Sequence, residues 1–351
     1  MKPRRTAASP ARARRQRGFA ATAALLALLV ATTIGSTMAE LARLETVLAG
    51  QRKAVAAALA AADACVEGAV ASLPVGWDFD DILLGGDGLL GTVDDGLLSL
   101  PADCTGAGRA TSGPPDPPRF LLEAEASVRG GRRRLEAVVR RRAEPGIPAL
   151  VWITDPAGIG RVGGTLALDG NDVTTGPALS MLAAPGEPET LDAWLAAQGP
   201  AIVVTSGTEA SIWATPPPLP GLVARAAAAG ALTPGAGLST SPPAAPNITL
   251  SHGDLTVTTP LLGAGILVVD GVLHVEAPFA FTGVVAATGG LRVETSGTLD
   301  LRGALWLGAE SPDALVVEGS ASVAAFAAGL DAADALLPLP RRARIASVRD
   351  F

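Results

Sequence analysis

The chain has 351 residues, 48% hydrophobic and 17% charged, with 41 Gly, 28 Pro and no Tyr, an apolar fraction that excludes a wholly disordered polypeptide. Its 2 His and 2 Cys, scattered as Cys65, Cys104, His252 and His274, cannot build a Cys₂His₂ or Cys₄ zinc centre unless all four converge, and haem or iron–sulfur ligation is equally undersupplied. The net charge of −7 is uneven: Lys2, Arg4, Arg5, Arg12, Arg14, Arg15 and Arg17 give residues 1–18 a charge of +7, while the other 333 residues hold 20 basic and 34 acidic groups, or −14, which argues against a general nucleic-acid surface.

Residues 19–38, FAATAALLALLVATTIGSTM, contain no charge, and at ~1.5 Å per helical residue they match the ~30 Å hydrocarbon core of a bilayer. The basic leader before them predicts a cytoplasmic N-terminus and an exported remainder, so the chain reads as a single-pass inner-membrane protein with its C-terminal domain in the periplasm. Three processing outcomes are open. The segment stays uncut as an anchor; a signal peptidase cuts after Ala39, where Thr37 and Ala39 are small; or the cut falls at Gly18-Phe19 and the apolar run becomes the mature N-terminus. The continuation ELARLETVLAGQRKAVAAALAAADACVEGAVASL favours keeping the segment. It is rich in the best helix formers and has no Pro before Pro74, which predicts one helix over 19–73. Leu41, Leu44, Val47 and Leu48 recur on one face of it, opposite Glu45 and Arg52, an amphipathic pattern.

The leader ending Arg17-Gly18-Phe19, the apolar run, Arg43-Leu44-Glu45, Gln51-Arg52 and the Ala-rich stretch Ala60–Ala69 resemble the N-terminal region of PilX- and GspK-type minor pilins and pseudopilins. The match covers residues 12–78. The resemblance implies cleavage by a prepilin peptidase after Gly18, methylation of Phe19, and assembly with other pilins through the N-terminal helix into a type IV pilus or type II secretion filament. Most type IV pilins have Glu at the fifth mature position, where this chain has Ala23. GspK-like members commonly lack that Glu and are placed at the filament tip.

Pro74 and the Gly/Asp/Pro-rich stretch 74–118 end the helix and predict a loop and linker. Region 119–175 reads as β-rich, with strands 120–128 and 132–141 joined by Gly130-Gly131 as a hairpin, then strands over 151–154 and 165–170. Residues 176–247 read as an irregular insertion with a short helix and Pro-rich linkers. Over 248–326 Gly253, Gly271 and Gly289 recur every 18 residues, each followed by alternating apolar positions such as Leu255/Val257 and Leu273/Val275. This predicts a short β-solenoid, with an antiparallel meander as the alternative. Residues 327–351 read as a tail. The fold class is therefore α+β, a long N-terminal helix followed by a β-rich exported region.

Cys65 and Cys104, an even pair in an oxidising compartment, predict one disulfide, with two free buried thiols as the alternative. Asp87, Asp94 and Asp95 lie in GGDGLLGTVDDG, an acidic, Gly-rich stretch that could supply oxygen ligands and tight turns to calcium, or simply form a solvated turn; it is not an EF-hand, and no other cofactor is indicated. No GxSxG, HExxH or Walker A run is present, so no catalytic residue is assigned. The expected role is that of a structural filament component with the inner membrane, other pilins and prepilin peptidase as partners and no nucleic acid. The rival is a membrane-anchored or secreted β-rich adhesin.

Overall fold

The computed structural model describes residues 10–84, 92, 104, 108–109, 119–172, 178–186, 188–206, 210–241, 245–309 and 313–350. Helix α1, Pro10–Ala71, runs for 62 residues, about 90 Å at 1.5 Å per residue. It begins nine residues earlier than expected, inside the basic leader, with a proline in its first turn, where a missing N–H costs nothing. The C-terminal third of α1 carries a buried stripe of Ala58, Ala62, Cys65, Val66, Ala69 and Val70, the i, i+4, i+7 spacing of one helix face. Beyond it lie a short helix α2 (Asp80–Leu83) and a short strand β1 (Gly108–Arg109).

The stripe lies on an antiparallel sheet. Strands β2 (Arg119–Val128) and β3 (Gly131–Arg141) form a hairpin. Alternate residues Phe120, Leu122, Ala124 and Ala126 of β2 and Leu135, Ala137 and Val139 of β3 face the helix and are buried with it. Phe79 packs edge-on against Phe120 at 4.7 Å. The hairpin turn is Arg129-Gly130, with φ of 51° and 81°, one residue before the expected Gly130-Gly131; two positive φ values are what a two-residue turn between right-twisted strands requires. Gly131 instead belongs to β3, at the crossing with α1, where an added Cβ would lie 2.6 Å from the backbone of Ala54. On the outer face Arg132 pairs with Glu125 and Arg134 with Glu123.

From Ala149 the chain forms stacked parallel turns. The elements in order are β4 (Ala149–Ile153), β5 (Gly160–Val162), β6 (Thr165–Asp169), β7 (Ser180–Ala184), helix α3 (Pro188–Gln198), β8 (Ile202–Ser206), β9 (Ser211–Trp213) and helices α4 (Leu219–Ala228) and α5 (Pro234–Gly237). They continue with β10 (Asn247–His252), β11 (Leu255–Val257), β12 (Leu261–Asp270), β13 (Val272–Val275), β14 (Pro278–Ala287), β15 (Gly290–Val293), β16 (Thr298–Leu307), β17 (Leu315–Val317) and β18 (Ser320–Ala324). Helix α6 (Ala327–Leu336) and strand β19 (Ala343–Asp350) close the described chain.

Among the described residues every strand-to-strand pairing within the stack is parallel: Leu261 lies beside Phe279, Phe279 beside Leu299, and Leu299 beside Ala321. Parallel register is what successive coils produce and what hairpins cannot, so the meander alternative is corrected. Strands β12, β14 and β16 each turn a corner at Gly265, Gly283 and Gly303, which stack in register with φ of 102°, 126° and 145°. A Cβ on Gly303 would meet the Gly283 carbonyl at 1.8 Å.

The path through the stack is permuted. β16 pairs with β4, β17 with β5 and β18 with β6, so the last coils in the sequence rest on the first. The described residues of the expected insertion, 176–247, belong to this stack: β7, β8 and β9 extend it, and α4 packs on its outside through Leu219, Leu222 and Ala226. Inside are Leu, Val and Ile from successive coils. On another face Trp152 and Trp306 meet edge-on at 5.3 Å.

Residues 327–350 are a helix and a strand, not a tail. α6 packs on the coils through Leu330 and Ala333, and β19 pairs antiparallel with β3 as the outermost strand of the sheet under α1. The coil stack is thus inserted between two neighbouring strands of that sheet. Arg141, at the end of β3, ties the junction. Its guanidinium donates to the carbonyls of Pro74 at 2.6 Å, Arg341 at 3.1 Å and Asp78 at 2.9 Å, and lies 4.1 Å over the Phe79 ring.

Candidate assembly surface

The part of α1 that precedes the sheet has no partner among the described residues. Phe19, Leu25, Leu26, Leu28, Leu29, Val30, Ile34, Met38, Leu41, Leu44, Val47 and Leu48 are all exposed, Phe19 at 78% and Leu48 at 46%. The most apolar stretch has a mean hydropathy of 1.9 and no buried residue. In water such a surface is unfavourable by about 25 cal/mol for each Å² of apolar area, so it needs lipid or other apolar helices around it.

Its polar atoms are dealt with locally. The hydroxyl of Thr32 donates to Leu29 O at 2.9 Å, Thr33 to Val30 O at 2.8 Å, Ser36 to Thr33 O at 2.9 Å, and Thr37 to Ile34 O at 2.9 Å. A hydroxyl bonded back to its own helix presents its methyl or methylene outward and carries no unmet donor into an apolar medium. Leu41, Leu44, Val47 and Leu48, the face expected from the amphipathic pattern, stay exposed and continue this surface towards the sheet. The buried stripe starts later, at Ala58.

Gly18 lies within the helix just before the apolar run, which Phe19 opens. Cys65 and Cys104 form a disulfide with Cα atoms 5.8 Å apart, tying a residue of the buried α1 stripe to the stretch 39 residues on, a loop closure worth about 4 kcal/mol in the chain-entropy picture. Asp87, Asp94 and Asp95 lie outside the described residues. Among the described residues no three His, Cys, Asp or Glu side chains converge on a common point.

One feature had no sequence signal. A cleft of about 560 Å³ opens between the end of α1, the edge of β19 and the end of the coil stack, lined by Val70, Leu73, Ile212, Trp213, Arg342 and Arg344 among others. Its residues come from four distant stretches, which no local pattern could join. Partial desolvation, and then the charge of Arg142 beside it, push the Arg342 guanidinium below its ordinary range.

No family model matches the chain, and no curated protein matches it. Among solved structures it is similar to the competence-associated pilin ComZ of Thermus thermophilus, at 10% identity over 85% of this chain and 97% of that chain, with a TM-score of 0.24. A score that low does not equate two folds, so the functional reading rests on the residues themselves.

Proposed function

We propose that the chain is a minor-pilin- or pseudopilin-like structural subunit and not an enzyme, held in the inner membrane by residues 19–38 before assembly and packed through the same helix against other subunits afterwards. One observation carries this reading. A single unbroken helix is uncovered and apolar from Phe19 to Met38 and sewn to an antiparallel sheet over its last third. A cleaved export signal would not need to continue as the same helix into the folded domain. An assembly subunit needs that continuity, because the helix must hold the exported domain to the filament core.

Within this reading prepilin peptidase cuts after Gly18, Phe19 becomes the N-terminus, and Ala23 leaves no carboxylate in the apolar segment, which suits a subunit at the filament tip. The test is the N-terminus of the mature protein purified from its native membrane, read by mass spectrometry. N-methylated Phe19 is the expected result, and Gly18→Val should leave the leader attached. A mature protein starting at Glu40, or normal maturation of the Gly18→Val variant, would reject the filament reading in favour of an exported adhesin.

A further inference from the structure

The sheet under α1 ends on an open edge. β19 pairs with β3 on one side and with nothing described on the other. Backbone directions are fixed by two neighbouring contacts. Arg142 N–H donates to Arg342 O at 2.8 Å, so residue 342 faces β3. Arg341 exchanges two hydrogen bonds with Gly76, at 2.7 and 3.1 Å, so residue 341 faces outward. Alternation along an antiparallel strand then directs the N–H and C=O groups of Ala343 and Ile345 outward, in line with those that Gly76 already uses. The chain's own Gly76 thus shows that this edge accepts an antiparallel neighbour, and it stops one position short of Ala343.

The side chains beside that edge divide by face. Ala343 and Ile345 adjoin the apolar wall of the cleft, with Val70, Leu73 and Ile212. Arg344 lies in register with Arg140, which lies in register with Arg119 on β2, so three guanidinium-bearing residues stand side by side across three strands. None of the three forms an ion pair among the described residues, and the Nε of Arg140 is buried without a partner. Like charges in direct cross-strand register are unfavourable by themselves. Residues 119–142 and 341–350 together hold 12 basic and 4 acidic side chains, or +8. Glu67 is the one acidic residue lining the cleft.

We propose that the free edge of β19 at Ala343–Ile345 takes up an extended segment of a partner protein in which apolar and acidic residues alternate. The segment's backbone continues the sheet. Its apolar side chains, opposite Ala343 and Ile345, enter the cleft, and its carboxylates, opposite Arg342 and Arg344, answer the arginines. Main-chain pairing supplies the attachment and the alternating pockets supply the choice of sequence. A second copy joined edge to edge is disfavoured, since it would bring Arg344 against the arginines of its twin. The irregularity between Ile345 and Ser347 limits the added strand to a short segment.

The test uses the full chain in detergent micelles and a fluorescein-labelled Val-Asp-Val-Asp-Val peptide, followed by anisotropy. Saturable binding is expected, with the Arg342→Glu/Arg344→Glu variant weakened roughly tenfold or more and the loss restored by the peptide with Lys in place of Asp. Methylating the peptide's alternate amide nitrogens removes the pairing donors without changing its charge, and should weaken binding by roughly the same factor. Absence of saturable binding would overturn the proposal. So would undiminished binding of the N-methylated peptide, or equal binding of an oligothymidylate of matched charge, because either would mean that the arginines attract any polyanion without strand addition.

Discussion

The two ends of α1 use apolar residues in opposite ways. Between Phe19 and Leu48 the large side chains Leu25, Leu29, Ile34, Leu41 and Leu44 project on all sides and touch nothing described. Between Ala58 and Val70 the buried positions are mostly small, with Ala58, Ala62, Ala69 and Cys65 bringing the helix backbone close to the sheet, close enough that Gly131 cannot carry a Cβ without meeting Ala54. Large residues suit a medium that adapts to them, lipid or a set of neighbouring helices. Small ones suit a fixed partner at short range, where dispersion contacts depend on a fit within tenths of an ångström. Hydrophobicity alone does not distinguish the halves; side-chain size does.

The largest test of that contrast compares Phe120→Ala with Leu29→Ala. Phe120 is 1% exposed under α1, so its truncation should destabilise the folded domain by about 3–5 kcal/mol. Leu29→Ala should leave the same denaturant midpoint unchanged in micelles. Equal losses would mean that the first half of α1 is packed against the domain after all.

A sharper version uses the helix crossing. Gly131→Ala places a methyl 2.6 Å from the Ala54 backbone, and about 1–3 kcal/mol of overpacking is expected in thermal unfolding. Ala54→Gly cannot relieve that clash, because the clashing atoms belong to the backbone. Rescue by Ala54→Gly would show that the helix sits further from the sheet than described here.

The smallest effect concerns the outer face of the sheet. Hydrogen bonding from Arg132, with its charge adding to it, holds the Glu125 carboxyl below its ordinary 4.5. A carboxyl whose folded pKa is depressed contributes stability above its unfolded pKa and loses it as pH falls through the folded pKa. The pair should therefore add a shallow acid-side decline below about pH 4.5, and Arg132→Ala should flatten it. Arg132 is exposed and Glu125 partly so, so salt should flatten it as well. An acid-side slope unchanged in Arg132→Ala would assign it elsewhere.

Local signals made part of the molecule legible in its sequence. The helix followed from Ala and Leu content and the absence of Pro, and the first coils from Gly253, Gly271 and Gly289, because β10, β12 and β14 stack at the same offset of 18, as His252 beside Asp270 shows. The signal failed where spacing drifted: Phe279 lies beside Leu299 and Leu291 beside Leu315, offsets that break any fixed repeat. It failed again at residues 149–213, whose coils rest on β16 to β18 from the far end of the stack. β19 reads ARIASVRD, with little apolar alternation, since most of its side chains stay exposed. For the candidate site, the apolar surface of α1 was visible in composition. The cleft was not, being a product of tertiary closure.

That closure fixes a sequence of events during synthesis. A ribosome delivers α1 and the β2–β3 hairpin early, but the strand that covers the flank of β3 arrives roughly two hundred residues later, after the whole coil stack has been made. Throughout that interval β3 offers a bare flank on which a wrong strand, from this chain or another nascent one, could settle. The run of Arg132, Arg133, Arg134, Arg140, Arg141 and Arg142 is what a gatekeeper for such a wait looks like: charges that repel casual suitors and admit the strand whose arrival lets Arg141 bind the Arg341 carbonyl. In the finished domain Arg132 and Arg134 settle into ion pairs and Arg141 into the junction, so charges that would discourage a wrong strand early become fastenings late.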